Sequence, residues 1–516
     1  MNREEAALEG DSLDPGFALL GRAHIAILGM LAAVAILSWL LLAFVHVHDR
    51  YNVNAVSGSL LALSERAREG VLYPPLFDGQ SYGGTRTMPL PILLYAGAVS
   101  LGGELLAPAK IVDFLSSAAL VLVLVTVLIR LGAGAILSLA LASTVIATQV
   151  FLLAGTGIRP ESLPTALQLG AVALVAFSSR RALIVLAAAL CAVAIFCKLS
   201  ALWAPIAIAV WLLARERRNL LLFAMVFAAG TVGLLVTFDI ASDGRIFTNL
   251  LELGGAGLSL VGGLKSPLKA IELLLQYAQS SFALLPVVLL GLVFATRHSR
   301  PTIFQIGLVA ATGITLVVLA DVGSDYNHLL DFVVLLPIAA FEVVRSLAIR
   351  VVDPRLVWSF MAVTVLVGSS AALGANAGPS LAASLQLPIT SPGAAYEPRP
   401  LVAELSSART VLSEDPYVPL SRGERPFVMD AFMLLRIARR DPRLVEPLQA
   451  RIEGGQFDAI VLGEDLQLPE TISWFRDLAF GLQIYQAIRT EYHFCSATGG
   501  YFVYFANSLP CPNPGN

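Results

Sequence analysis

Runs of Leu, Ala, Val and Ile recur along this 516-residue chain, each near the roughly 20 residues that a helix needs to cross a hydrocarbon layer. They fall at 23–45, 111–131, 134–154, 163–178, 182–197, 200–214, 219–237, 281–296, 303–320, 329–348 and 355–375. One further run, Pro89–Gly103, is marginal for a full crossing at about 1.5 Å per residue. The pattern predicts an all-α polytopic transmembrane bundle of about 11–13 helices. Between the first run and Pro89, NAVSGSLLALSERAREG sets Val56, Leu60, Leu61 and Leu63 against Arg66 and Arg68. That division predicts a helix lying along the membrane surface.

After residue 376 the pattern changes. ANAGPSLAASLQLPITSPGAAYEPRP has the Pro, Ser, Ala and Gly content of a linker. Beyond it RTVLSED, PFVMD and FDAIVLG predict short buried strands. AFMLLRIARR and VEPLQARIEG predict helices between them. The alternation implies a small C-terminal α/β domain with a parallel sheet. The expected division is a tail over 1–22, a membrane domain over 23–375 with an outer loop at 46–88, a linker over 376–400 and a soluble domain over 401–516.

Basic residues set the direction. Arg180-Arg181, Arg215 to Arg218, Arg297 with Arg300, and Arg345 through Arg355 belong on the cytoplasmic side by the positive-inside rule. The chain is then expected in the cell (inner) membrane, with its N-terminus inside and the C-terminal domain outside. The opening MNREEAALEGDSLDPG is too acidic for a secretory signal. Composition agrees: 57% hydrophobic, 14% charged, mean hydropathy +0.76. A net charge of −3 argues against nucleic-acid binding. Of four cysteines, Cys191 and Cys197 lie in an apolar run and read as packing residues. Cys495 and Cys511 can pair in an oxidising compartment or stay free.

Polar groups near the membrane cost free energy unless partnered, and here they collect on the outer side. The first run ends in HVHDRY, with His46, His48, Asp49, Arg50 and Tyr51. GTGIRPES brings Arg159 and Glu161, CKLSALW brings Lys198, and DVGSDYNHLLD brings Asp321, Asp325, Tyr326, Asn327, His328 and Asp331. The loop GVLYPPLFDGQSYGGTRTMPLP adds Tyr73, Tyr82 and Arg86, braced by proline pairs at both ends. Asp49 can stay ionised beside Arg50 and take a proton from a hydroxyl; it can equally be a cap or half of a salt bridge. Arg86, behind Gly83-Gly84, suits a phosphate. Arg159 and Lys198 are further phosphate candidates, although Lys198 can also snorkel. Asp49, His48 and Glu161 are donor types that hold a divalent ion. His46 and His48, two apart, do not share a helix face, which weakens a histidine metal site.

Together these features resemble the GT-C superfamily of polytopic glycosyltransferases, which includes aminoarabinose transferases and protein O-mannosyltransferases. Asp49 stands at the family's acidic position after the first helix. GVLYPPLFDGQSYGGTRTMPL follows its loop pattern, and Arg159-Pro160-Glu161 its second outer motif. Arg50 stands where a second acidic residue is common, Glu161 replaces the commoner Asp, and Arg86 takes the place of an expected lysine. The resemblance implies inverting transfer of a sugar, hexosyl or pentosyl, from a polyprenyl-phosphate donor to a lipid, glycan or protein acceptor at the outer face. Asp49 would be the base, and Arg86, Arg159 and Lys198 would hold the donor phosphate. Tyr51, Tyr73, Tyr82, Glu161, Tyr326, Asn327 and His328 would line the substrate. No cofactor is required by this reading, and a divalent ion is a candidate. The competing class is a multi-pass transporter or flippase of a lipid-linked sugar, which more often shows inverted repeats and broken midplane helices.

Overall fold

Long apolar runs give long helices, and most of the helices observed follow those runs. The computed structural model describes residues 22–48, 55–254, 258–295, 301–349, 353–384 and 398–512. The first helices are α1 (Arg22–His48), α2 (Ala55–Arg68), α3 (Pro89–Gly102) and α4 (Leu106–Arg130). Next come α5 (Ala135–Ile146), α6 (Gln149–Thr156), α7 (Ser162–Phe177), α8 (Arg181–Cys197), α9 (Trp203–Arg215) and α10 (Arg217–Ala241). Then follow α11 (Arg245–Leu253), α12 (Leu260–Tyr277), α13 (Gln279–Ala295), α14 (Ile303–Leu319), α15 (Leu330–Ala348), α16 (Pro354–Ala372), α17 (Gly378–Ser384) and α18 (Pro398–Glu404).

Among the described residues four helices, α1, α4, α10 and the continuous stretch from α16 to Ala382, are long and apolar enough to cross a membrane. The bent pair α5–α6 makes a fifth, and six more apolar helices are shorter. The outward faces of α10 suit lipid: Leu221, Met225, Val232, Val236 and Ile240 are all exposed, an arrangement that water would penalise. At the centre α15 is buried on every side from Phe332 to Phe341, so its apolar residues show no polar face. The protein is a multi-pass membrane protein.

The break between α5 and α6 bends the chain by 83°. Thr148 caps α6, its hydroxyl accepting from Phe151 N at 3.1 Å. Asn376, in a π-helical segment at Leu373–Ala377, donates from Nδ2 to Ala147 O at 3.0 Å. These bonds satisfy backbone groups that the bend frees inside the bundle. They fix the start of α6, whose far end leads into the turn carrying Arg159 and Glu161.

The C-terminal domain, called outer after the side that the arginine clusters predict for it, differs from the expected parallel sheet. β1 (Val411–Ser413) and β2 (Ala459–Leu462) are parallel, but β2 pairs antiparallel with β4 (Tyr501–Ala506), which pairs with β3 (Tyr492–Thr498). The order is β1-β2-β4-β3. The missed hairpin turns at Gly499-Gly500, both at positive φ, a conformation that glycine adopts at little cost. PFVMD does not join the sheet; Val428 forms an isolated parallel bridge with Tyr82 of the outer loop. Its pairing edge is used by another segment of the chain. Cys495 and Cys511 form a disulfide, and Cys191 and Cys197 are buried free thiols.

The side chains of α2 do not divide into one buried apolar side and one exposed basic side. Leu60, Leu61 and Leu63 are buried, and so is Arg66, which pairs with Glu69. Rather than lying open, α2 is packed against α3 and against a short helix of the outer domain, α19 (Tyr417–Ser421). Gly58 makes this approach feasible: a Cβ there would overlap the Asp415 carboxylate and come within 2.8 Å of Tyr417 N. Asp415 accepts from Tyr417 N at 2.9 Å and from the Tyr501 hydroxyl at 2.7 Å. Its neighbour Glu414 accepts from Trp474 Nε1 at 2.7 Å and from Gly463 N at 3.1 Å.

Burial pushes the Glu414 carboxyl up to about 7 and that of Asp415 to about 6. A carboxyl raised in the folded state binds protons that the unfolded chain has lost, so stability falls as pH rises through the interval. The outer domain is therefore expected to be most stable near pH 4–5 and to weaken progressively towards pH 7. Glu414→Gln should flatten that decline. Thermal unfolding of both proteins across this range checks it; parallel curves would refute the assignment to Glu414.

Candidate active site at the helix ends

The outer loop is pinned at several points, and the pins decide which side chains stay free. Tyr73 is fully buried and donates its hydroxyl to Thr87 O at 2.8 Å, closing the loop on itself. Gly83 passes against the proline pair; a Cβ there would stand 2.5 Å from Pro74 Cβ and Pro75 O. Tyr82 bonds through its backbone to Phe427 O and Met429 N and through its hydroxyl to Leu444 O at 2.8 Å. Its ring stacks on Phe77 at 4.4 Å. Tyr73 and Tyr82 are thus corrected from substrate contacts to anchors: their hydroxyls are spent on backbone carbonyls. Thr85 N donates to Asn249 Oδ1 at 2.7 Å, tying the loop to α11.

Arg86 follows these anchors and is held to one place. It pairs with Asp321, in the turn between α14 and α15, and stands 5.1 Å over the Phe432 ring. Asp321 also accepts from Gly323 N at 2.8 Å. Lys269 of α12 donates to Ser324 O at 2.6 Å. The same turn continues into a 3-10 segment, Tyr326–Leu329, where Tyr326 stacks on Tyr277 at 4.0 Å. Asn327 donates to Glu161 Oε1 at 2.6 Å.

His328 is the point on which the cations converge. Its Nδ1 is buried with no hydrogen-bond partner among the described residues. Burial first, then the charges of Lys198, Arg86, Arg159 and Lys269, hold its imidazole well below the usual histidine range. It is therefore neutral at physiological pH. Four basic groups from four separate segments thus act electrostatically on one turn. Arg159, Lys198 and Arg86, dispersed in sequence, come together here with Glu161, Tyr326, Asn327 and His328.

Beneath them runs a buried polar chain that the apolar pattern of α4 conceals. Tyr95 donates to Asp113 at 2.8 Å, and Arg159 N donates to the same carboxylate at 2.9 Å. Lys110, one turn earlier on α4, is buried and donates to His46 O at 2.7 Å, which fixes the outer end of α1. Lys110 and Asp113 were visible as charges inside an apolar run, the usual sign of an intramembrane polar group with a role. Asp113→Asn is expected to loosen the Arg159 turn and lower activity about tenfold without unfolding the chain, since one charge-assisted bond of roughly 1.5–3 kcal/mol is weakened. Wild-type turnover would show that the turn is held otherwise.

Asp49 and Tyr51 lie outside the described residues, as does the side chain of His48. Of the metal candidates, Glu161 is described: Asn327 donates to one oxygen, and Oε2 is buried with no hydrogen-bond partner among the described residues. The one described triad of metal-donor residues, His493, Cys495 and Cys511, is in the outer domain and its cysteines are disulfide-bonded.

No protein-family model matches the chain, and no curated protein matches its sequence. Solved structures do resemble it. ArnT from Cupriavidus metallidurans bound to undecaprenyl phosphate aligns with a TM-score of 0.56 at 14% identity, covering 92% of this chain and 97% of that one. Its apo form gives 0.54 at 13% identity, with the same coverage of both chains. The Archaeoglobus fulgidus oligosaccharyltransferase, in complex with Zn and sulfate, aligns at 0.51 and 14% identity, over 94% of this chain and 74% of that one. These are GT-C glycosyltransferases, and the chain has a GT-C-like fold.

Proposed function

We propose that this protein is a glycosyltransferase that moves a sugar from a polyprenyl-phosphate donor to an acceptor at the outer face of the membrane. The observation that carries the reading is the convergence of Arg86, Arg159, Lys198 and Lys269 on His328, where helix ends meet the outer domain. A departing phosphate gains negative charge as the glycosidic bond breaks, and fixed cations at that point stabilise it. The resemblance to a structure bound to undecaprenyl phosphate supports a lipid phosphate as that group.

In this mechanism Asp49, directly after α1, takes the proton of the acceptor hydroxyl. The hydroxyl oxygen attacks the anomeric carbon from the face opposite the phosphate and inverts it. Arg86, Arg159 and Lys198 hold the leaving phosphate, and neutral His328 has Nδ1 available for a hydrogen bond to donor or sugar. Tyr326 and Asn327 present an aromatic face and an amide to the substrate. A divalent ion, where the reaction uses one, would be held by Glu161 with Asp49 and His48, and would supply Lewis-acid assistance to the leaving group. The transporter reading draws no support from the comparisons.

Purified protein incubated with radiolabelled polyprenyl-phosphate sugars and a membrane extract tests the proposal. Transfer of label into a new lipid, glycan or protein product is expected. Binding of the donors with no transfer to any acceptor fraction, together with movement of lipid-linked sugar across proteoliposomes, would replace it with the transporter reading.

A further inference from the structure

The outer domain reaches into the site through one helix, α20 (Ala431–Arg440). Asp430 caps it, accepting from Met433 N at 3.0 Å. Phe432 then seats against Gly323 of the 320–325 turn, where a Cβ would come within 2.5 Å of its ring. Arg86 stands over this ring at 5.1 Å and Arg436, one turn along α20, at 4.4 Å. A cation over an aromatic face is favoured, so one phenylalanine gathers two guanidinium groups from two domains.

The two groups differ in what else they touch. Arg86 has Asp321. Arg436 is only 6% exposed, and its Nε and Nη2 are both buried without a hydrogen-bond partner among the described residues. The neighbouring arginines all have acceptors: Arg439 has Asp477, Arg440 has Glu252 and Arg443 has Asp441. Leaving buried charged donors unmade is costly. The Nε and Nη2 hydrogens form the parallel edge that grips two oxygens of one oxyanion. With Arg86 beside it and Asp321 the nearby carboxylate, the local charge suits a phosphate better than a singly charged group.

We propose that Arg436 binds a phosphate group at the seam between the domains, so that the outer domain is part of the substrate site. Assigning that phosphate to the donor lipid rests on the proposed function; the same chemistry on a soluble phosphorylated acceptor is the other source.

The test measures binding of undecaprenyl phosphate, undecaprenol and inorganic phosphate to the full chain in detergent, for wild type, Arg436→Gln and Arg436→Lys. Arg436→Gln is expected to weaken undecaprenyl phosphate at least tenfold and leave undecaprenol unchanged. Arg436→Lys, which keeps the charge and loses the paired edge, should fall between. Wild type that ignores undecaprenyl phosphate but binds inorganic phosphate in an Arg436-dependent way would remove the lipid donor and keep the site. Equal affinity of wild type and Arg436→Gln for both phosphates overturns the inference, as does an equal loss of undecaprenol, which marks a packing role. If wild type binds neither phosphate, the inference and the donor assignment both fall. Should Arg436→Gln not fold, Arg436→Lys decides alone: a several-fold loss for undecaprenyl phosphate supports the paired contact, and wild-type affinity overturns it.

Discussion

Asp49→Asn is expected to cut glycosyl transfer by about 10²–10⁴-fold, the usual contribution of a positioned general base, while donor affinity stays within roughly twofold. The two side chains are nearly the same size, and the change removes only the basic oxygen. Asp49 follows directly on His48 at the end of α1, where buried Lys110 grips the His46 carbonyl, so the helix end is fixed independently of Asp49. Donor binding is assigned to Arg86, Arg159 and Lys198, which the substitution does not touch. Single-turnover transfer and equilibrium donor binding, measured on the same preparation, separate the two quantities. Wild-type turnover would remove Asp49 from the base position; lost donor binding with residual chemistry would make it a donor ligand instead.

The second large effect is expected at Arg86. Arg86→Ala should weaken undecaprenyl phosphate by about 10- to 100-fold, from one charged, paired contact of roughly 1.5–3 kcal/mol. The substitution also strips Asp321, a carboxylate whose side chain is only 6% exposed, of its partner, and a buried charge left alone is destabilising. Loss of fold and loss of binding must therefore be told apart. The double variant Arg86→Ala with Asp321→Asn removes the stranded charge and should recover thermal stability without recovering affinity. If affinity returns with stability, Arg86 supports the turn rather than the phosphate, and the contact passes to Lys198 or Arg159. Unchanged affinity in the single variant would have the same meaning.

These two residues also show what reading along the chain can single out. Arg86 stands out because a guanidinium behind two glycines and between two proline pairs serves no purpose in a plain connector. Arg159, Lys198 and His328 stand out because charge is expensive near the hydrocarbon layer. Tyr73 and Tyr82 misled, since a tyrosine at an outer loop looks alike whether its hydroxyl faces a substrate or a backbone carbonyl. Only the fold shows Thr87 O and Leu444 O at hydrogen-bond distance. Arg436 was read as an ordinary helix residue in AFMLLRIARR, one of three arginines there with no local feature to set it apart. Its burial comes from the packing of α20 on the membrane domain, a contact between segments about 350 residues apart.

Long apolar runs by themselves marked most of the helices, their order and the change of character after residue 376, because burial in lipid demands such runs and leaves that demand written locally; the helices Arg245–Leu253 and Leu260–Tyr277 lie outside those runs. The acidic residue after the first helix and the arginine clusters at helix ends are equally local features. The tertiary structure alone decided the bend between α5 and α6, the mixed sheet, the seat of α2 beneath the outer domain and the gathering of cations about His328. Each depends on groups far apart in the chain meeting in space: Asn376 on Ala147, Asp415 against Gly58, Arg86 on Asp321. Neither periodicity nor composition records which distant partner satisfies a buried donor or fills the space above a glycine.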